Sequence, residues 1–242
     1  MRAPLAFAIA YAALAVADLT AIATGHFEWR VVTKPPLMVL LAGVVVTAYP
    51  RLDRARRLLV AALLFSVAGD TVLLGTSDAA FIGGTAAFAL SHLAYIACFT
   101  LAAPGKGLVQ QRPWLAVLYG LAWGITTAIL WPHLGALTAV VVPYSLLLTT
   151  MAAFALNLVG RIERRSAIFV AAGAAIYMSS DTNIAFGRFD PSLAPPHVDF
   201  LIMLTYLLAQ SLIAAGIAGR RQPLSRRGSL PDRGLNLRTT GG

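Results

Sequence analysis

Residues 80–103 read AFIGGTAAFALSHLAYIACFTLAA, twenty-four consecutive positions without Asp, Glu, Lys or Arg. Wound as an α-helix at 1.5 Å per residue, this run is about 36 Å long, enough to cross the ~30 Å hydrocarbon core of a bilayer. The same reading applied outward, with a window of about 19 residues, finds further apolar stretches. They lie at 4–24, 33–49, 58–75, 114–131, 135–159, 166–186 and 198–219. The breaks between them carry loop punctuation: Tyr49-Pro50-Arg51, Pro104-Gly105-Lys106, Trp131-Pro132-His133 and Pro195-Pro196-His197. The expected fold is therefore an all-α integral membrane protein with eight transmembrane helices over residues 1–219. The first stretch follows Met1-Arg2 in the manner of a signal peptide, but it is too long for an h-region and lacks a cleavage site, so it is read as a span.

Composition agrees. Of 242 residues, 58% are hydrophobic and 12% charged, more apolar surface than a soluble domain of this length can hide. The one cysteine, Cys98, excludes a disulfide framework and a thiolate metal site. A net charge of +9 raises nucleic acid as a partner, yet no basic stretch is interleaved with aromatics, and that class is set aside. The charge is instead a topology signal. Sixteen of the 19 Lys and Arg residues fall on one side of the eight spans, and only Arg30, Lys34 and Arg188 fall on the other. The positive-inside rule then places both termini in the cytoplasm. Residues 220–242, rich in Arg, Gly, Pro and Ser, read as a disordered cytoplasmic tail attracted to anionic head groups. Arg in preference to Lys, with abundant Ala, is the composition of a GC-rich bacterial gene, which points to a bacterial plasma membrane.

An ionisable side chain unpaired at the bilayer centre costs about 2.5–3.5 kcal/mol on insertion scales, so those inside spans are informative. They are Asp18, Lys34 at the opening of span two, Asp70, His92, Asp181 and Asp199 at the opening of span eight. Polar companions sit at helical spacing: Ser66 four before Asp70, Tyr177 four before Asp181, Tyr95 three after His92, and Gln210 four after Tyr206. Such stripes belong inside the bundle, and they define a polar pocket biased toward the outer leaflet. For each residue there is a plainer role. Asp18 and Asp199 lie near span ends where water reaches them, His92 suits packing, Tyr206 and Gln210 suit helix-to-helix bonding, and Lys34 can snorkel to the interface. Trp29, Trp114 and Trp131 read as interfacial anchors. Asp70 and Asp181 stand out among them. They also share a short internal likeness, Gly69-Asp70-Thr71 with Ser180-Asp181-Thr182, four spans apart, with Pro36 and Pro143 falling similarly. That spacing suits a parallel four-plus-four repeat.

The ordered motifs Thr33-Lys34-Pro35-Pro36-Leu37-Met38, Leu63-Leu64-Phe65-Ser66-Val67-Ala68-Gly69-Asp70 and Phe88-Ala89-Leu90-Ser91-His92-Leu93-Ala94-Tyr95-Ile96 carry a resemblance that spans residues 5–219. Pro143-Tyr144, Ser179-Ser180-Asp181 and Thr205-Tyr206-Leu207-Leu208-Ala209-Gln210 continue it. The chain resembles the YhhN-like lysoplasmalogenase family of multispan membrane proteins. The resemblance implies hydrolysis of the vinyl ether bond of a lysoplasmalogen to a fatty aldehyde and a glycerophospho-base, with a lysophospholipid and the bilayer as partners. Vinyl ethers break by protonation of the β-carbon to an oxocarbenium ion, which water captures. That chemistry asks for one carboxylic acid and one carboxylate, as in glycoside hydrolysis. Asp70 and Asp181 are the expected catalytic pair, with the acid unassigned between them. His92 is expected to orient or deprotonate water, Lys34 to meet the substrate phosphate or an aspartate, and Tyr95, Tyr206 and Gln210 to line the substrate site. No cofactor is implied: His26, His133 and His197 lie near loops, leaving His92 as the intramembrane histidine, and no G-x-S-x-G elbow is present. The same acidic residues would also serve a proton-coupled transporter or a lipid-binding protein.

Overall fold

The computed structural model describes residues 2–220. Eight long helices follow the apolar runs: α1 (Arg2–Ala23), α2 (Arg30–Ala48), α3 (Arg54–Val72), α4 (Asp78–Ala102), then a short α5 (Leu108–Gln111), followed by α6 (Trp114–Leu134), α7 (Thr138–Leu156), α8 (Arg164–Phe189) and α9 (Val198–Gly219). By length and apolarity five segments among the described residues qualify to cross a membrane. They are α1, α2 with its preceding turn, α4, the 43-residue stretch Trp114–Leu156 that contains both α6 and α7, and α9. The remaining long helices, α3 and α8, have the length but carry four charged residues each.

Local signals set the ends. Asp53 caps α3 by accepting from the Arg56 amide at 2.9 Å, and Ser77 caps α4 by accepting from the Ala80 amide at 3.1 Å. Gly135, at φ +51°, takes the left-handed conformation that turns α6 toward α7. One boundary differs from the sequence reading. Pro35 and Pro36 lie inside α2, because the 3₁₀ turn Phe27–Trp29 runs directly into the helix and starts it at Arg30. Lys34 thus sits in the second turn, not at the helix opening.

The core forms where α3 lies along α4 and α8 along α9, with α2 and α7 on the flanks. Leu37, Leu59, Leu63, Tyr95, Phe99, Met151, Tyr177 and Ile213 are fully buried there. Two glycines let α8 and α9 approach: a Cβ on Gly173 would lie 2.9 Å from the Ala209 carbonyl oxygen, and one on Gly216 would lie 2.7 Å from that of Ser166. α6 is the exception to close packing, with only Leu130 and Leu134 buried. Trp29, Trp114 and Trp131 are exposed, as interfacial anchors would be.

Not every cation counted for topology is a surface charge. Arg56 is buried and donates from Nε and Nη2 to the Ala218 carbonyl at 3.1 and 2.8 Å, closing the last turn of α9. Arg220, read from sequence as the first tail residue, is also buried and contacts Asp53 at 2.9 Å. The rest of the basic tail, 221–242, lies outside the described residues.

Gly216→Val is expected to lower stability by about 1–3 kcal/mol, the usual range for overpacking, since the clash is with backbone. Gly120→Ala on α6, where a Cβ meets nothing within 4 Å, is expected to leave it unchanged or slightly higher. Thermal unfolding of the purified protein in detergent measures both.

Candidate active site

Lys34, Asp70, His92, Tyr95, Asp181, Tyr206 and Gln210 converge on one buried region in the half of the bundle nearest the α3–α4 and α8–α9 connections. Asp70 is in the last turn of α3, yet only 2% exposed, because α2 and α9 cover it. Its Oδ1 lies 3.3 Å from Lys34 Nζ on α2, and its Oδ2 accepts the Tyr206 hydroxyl of α9 at 2.7 Å. Both donors come from helices packed on α3, so this carboxylate is held by a cation and a phenol together.

Asp181, on α8, is partnered differently. Its Oδ2 accepts the Tyr144 hydroxyl of α7 at 2.5 Å, and the same oxygen lies 3.9 Å from His92 Nε2. His92 Nε2 is itself 3.1 Å from the Tyr144 hydroxyl. No Lys or Arg side chain is paired with Asp181 among the described residues. The two carboxylates are not bonded to each other; a run of aromatic rings lies between them. Tyr206 meets Tyr177 edge-on at 5.6 Å, and Tyr177 meets His92 at 5.1 Å.

Deeper in the bundle a neutral network replaces charge. The Tyr95 hydroxyl donates to Gln210 Oε1, Gln210 Nε2 donates to Ser66 Oγ at 3.1 Å, and Ser66 is 3.0 Å from Ser91, whose hydroxyl donates to the Ala62 carbonyl. These groups are all buried, and each finds its partner on a facing helix. The helical spacings that drew attention to them place side chains on one face without bonding them. Ser66 does not bond Asp70, and Tyr95 does not bond His92.

One of the plainer readings changes. Asp18 is fully buried, not solvated: Thr33 donates to its Oδ1 at 2.6 Å, and Arg30 Nε lies 3.6 Å from the same oxygen. Asp199, by contrast, is exposed and stands apart from Tyr206 and Gln210. Tyr144 and Tyr177 were visible in the sequence as a motif residue and a helical companion, but neither was singled out for the site. A tyrosine in an apolar run gives little warning of what it faces; Pro143 before Tyr144 was the available signal.

Gln210→Leu leaves the Tyr95 hydroxyl without its partner in a dry interior, while Ser66 keeps Ser91, and is expected to cost about 1–3 kcal/mol. Tyr95→Phe is expected to cost less, because Ser66 still holds the Gln210 amide. Thermal unfolding of the two variants side by side measures the order.

The YhhN family model matches residues 29–217, from the turn before α2 to the last turns of α9. The "Lysoplasmalogenase" of Mycobacterium bovis is 36% identical over 213 residues, covering 83% of this chain and 75% of its own length. The human "Lysoplasmalogenase TMEM86A" is 34% identical over 168 residues, covering 67% of this chain and 65% of its own, and the human "Lysoplasmalogenase TMEM86B" is 33% identical over 172, covering 70% and 66%. No solved structure matches. A family model that runs through every helix of the site, with relatives of this similarity over most of the chain, establishes that the protein belongs to the YhhN family.

Proposed function

We propose that the chain hydrolyses the vinyl ether bond of lysoplasmalogen-type lysophospholipids inside the membrane, using Asp181 as the acid and Asp70 as the carboxylate. Family membership and relatives named lysoplasmalogenase from bacteria and mammals support the reaction. The observation that supports the assignment of roles is the unlike partnering of the two aspartates. Lys34 and Tyr206 stand on Asp70 and hold a negative charge in place. Among the described residues Asp181 is paired with no Lys or Arg and has one phenol on Oδ2, which leaves Oδ1 to carry the proton.

The step balances simply. Asp181 delivers its proton to the β-carbon, so that the C=C π pair becomes the new C–H bond and the α-carbon becomes an oxocarbenium ion stabilised by Asp70. Water adds its oxygen to that carbon and gives up a proton to a carboxylate. The resulting hemiacetal breaks its bond to the glycerol oxygen, which takes a proton as the aldehyde leaves. Tyr144 fixes the orientation of Asp181, and His92, within reach of both, positions the water.

We infer an eight-span topology with both termini cytoplasmic, which puts both aspartates in the outer half. The outer cations Arg30 and Lys34 face buried carboxylates, so their presence outside does not weaken the charge bias. A four-plus-four repeat is supported by parallel placement. Lys34 on α2 reaches Asp70 on α3 as Tyr144 on α7 reaches Asp181 on α8.

The decisive measurement is aldehyde release from lysoplasmenyl-ethanolamine by the purified protein, beside Asp70→Asn and Asp181→Asn variants shown to remain folded. Each variant is expected to lose about 100-fold or more, and Tyr144→Phe about 10–100-fold. No release by the parent above a protein-free control, across several head groups, would reject hydrolysis in favour of lipid binding or proton-coupled transport by the same residues.

A further inference from the structure

Beside Asp181 lies a cavity of about 190 Å³ that the chemistry above does not use. It is walled by α4, α6, α7 and α8, with Phe81, Phe88, Leu130, Leu148 and Ile184 among a lining that is mostly apolar. The Asp181 carboxyl and the Tyr144 hydroxyl belong to residues of the same wall. Phe88 is a partition: it lines the cavity and also meets, edge-on at 6.1 Å, the ring of the Tyr206 that donates to Asp70. A small polar solute would find few partners in such a space, whereas hydrocarbon needs none.

The walls are uneven in a way that suggests how an occupant arrives. α4 packs closely on α3 and α7 and meets α8 through side chains at two levels, His92 against Tyr177 and Phe81 against Phe189. On that side the cavity is closed by side chains alone. Phe81 of α4 stands edge-on to Phe189 of α8 at 5.7 Å, and Arg188 pairs with Asp78 and lies 4.4 Å over the Phe81 ring. α6 is loosely seated: a methyl group added at Gly120 or Gly124 would meet no atom within 4 Å. Its side-chain hydrogen bond to a neighbour, among the described residues, is Trp123 Nε1 to Ser145 Oγ at 3.0 Å. On this side the cavity is parted from the surrounding lipid by side chains and by a loosely seated helix.

We propose that this chamber takes the single hydrocarbon chain of a lysophospholipid, admitted from the bilayer along α4, and lays the first carbons of that chain against Asp181. The proposal rests on the lipid-hydrolase reading and adds the chain-binding site to it. A space of this size holds part of one chain and has no room for a second beside it, which gives a physical reason for a single-chain amphiphile. α6, which carries neither Asp181 nor Tyr144, forms the wall against which the chain packs, with Ala122 and Thr126 facing it.

The test is photolabelling in lipid nanodiscs with a 1-O-alkyl lysophosphatidylethanolamine, stable to hydrolysis, that carries a diazirine at the chain end. Adducts are expected on the 114–134 peptide and are expected to be competed by unlabelled lysophospholipid. Ala122→Trp should lower that labelling at least fivefold, and Thr126→Phe does the same service if the first variant fails to fold. Leu118→Trp, on the exposed face of α6, should leave it unchanged. Adducts spread evenly over all lipid-facing helices, or confined to the groove between α1 and α9 near Phe27 and Phe200, would overturn the proposal. Competed labelling of α6 by a protein that releases no aldehyde would support the chamber and remove hydrolysis alone. Full aldehyde release with α6 unlabelled would overturn the chamber and leave hydrolysis standing.

Discussion

The ion pair between Lys34 and Asp70 is the contact on which the arrangement of the site depends. Two charges placed away from water are costly unless each is satisfied by the other and by further hydrogen bonds. Here the pair lies 3.3 Å apart, with Tyr206 on the second carboxylate oxygen at 2.7 Å. Three helices contribute, and each must hold its register for the pair to close. Lys34 in the second turn of α2, Asp70 in the last turn of α3 and Tyr206 in the third turn of α9 meet at one depth only because those helices pack directly. Displacing α2 or α3 by one turn would leave a buried charge alone, and displacing α9 would take the phenol from Asp70.

The second carboxylate has no such tie, and the contrast organises the rest. Asp181 relies on a phenol, and its neighbours are rings: His92, Tyr144, Tyr177 and, beyond the last, Tyr206. Rings with a single polar tip suit this role, because they fill apolar space while offering one donor each. The neutral chain of Tyr95, Gln210, Ser66 and Ser91 beneath them fixes α3, α4 and α9 together without adding charge. Rigidity is therefore concentrated around Asp70, while the looser wall formed by α6 adjoins Asp181. A site that must receive a lipid laterally needs that division: one side held, the other able to yield.

Charge counting gains a physical refinement from the same contacts. Arg30 and Lys34 oppose the positive-inside bias by position, but both are turned inward against Asp18 and Asp70. Arg56 and Arg220 agree with it by position, yet both are buried and close the end of α9. A cation engaged with a carboxylate or with helix carbonyls is a structural group first.

The helices are legible in the sequence, because the membrane imposes a length and an apolarity on every crossing segment, and runs such as 80–103 satisfy both openly. The sequence also marked Lys34, Asp70, His92, Tyr95, Asp181, Tyr206 and Gln210, since a polar group within an apolar run is conspicuous against so uniform a background. Only the tertiary structure decided which of them touch. Spacing along one helix fixes a shared face and says nothing of what faces it, so Ser66 bonds Gln210 and Ser91 in place of Asp70. Tyr144 emerged for the same reason: its partner is on another helix, 37 residues away. Asp18 looked solvated from its place near a span end and is fully buried, because depth along a helix does not report how neighbouring helices cover it. Apart from Asp181, the cavity beside it is not legible in the sequence, because most of its wall is ordinary Phe, Leu and Thr side chains brought together from several helices.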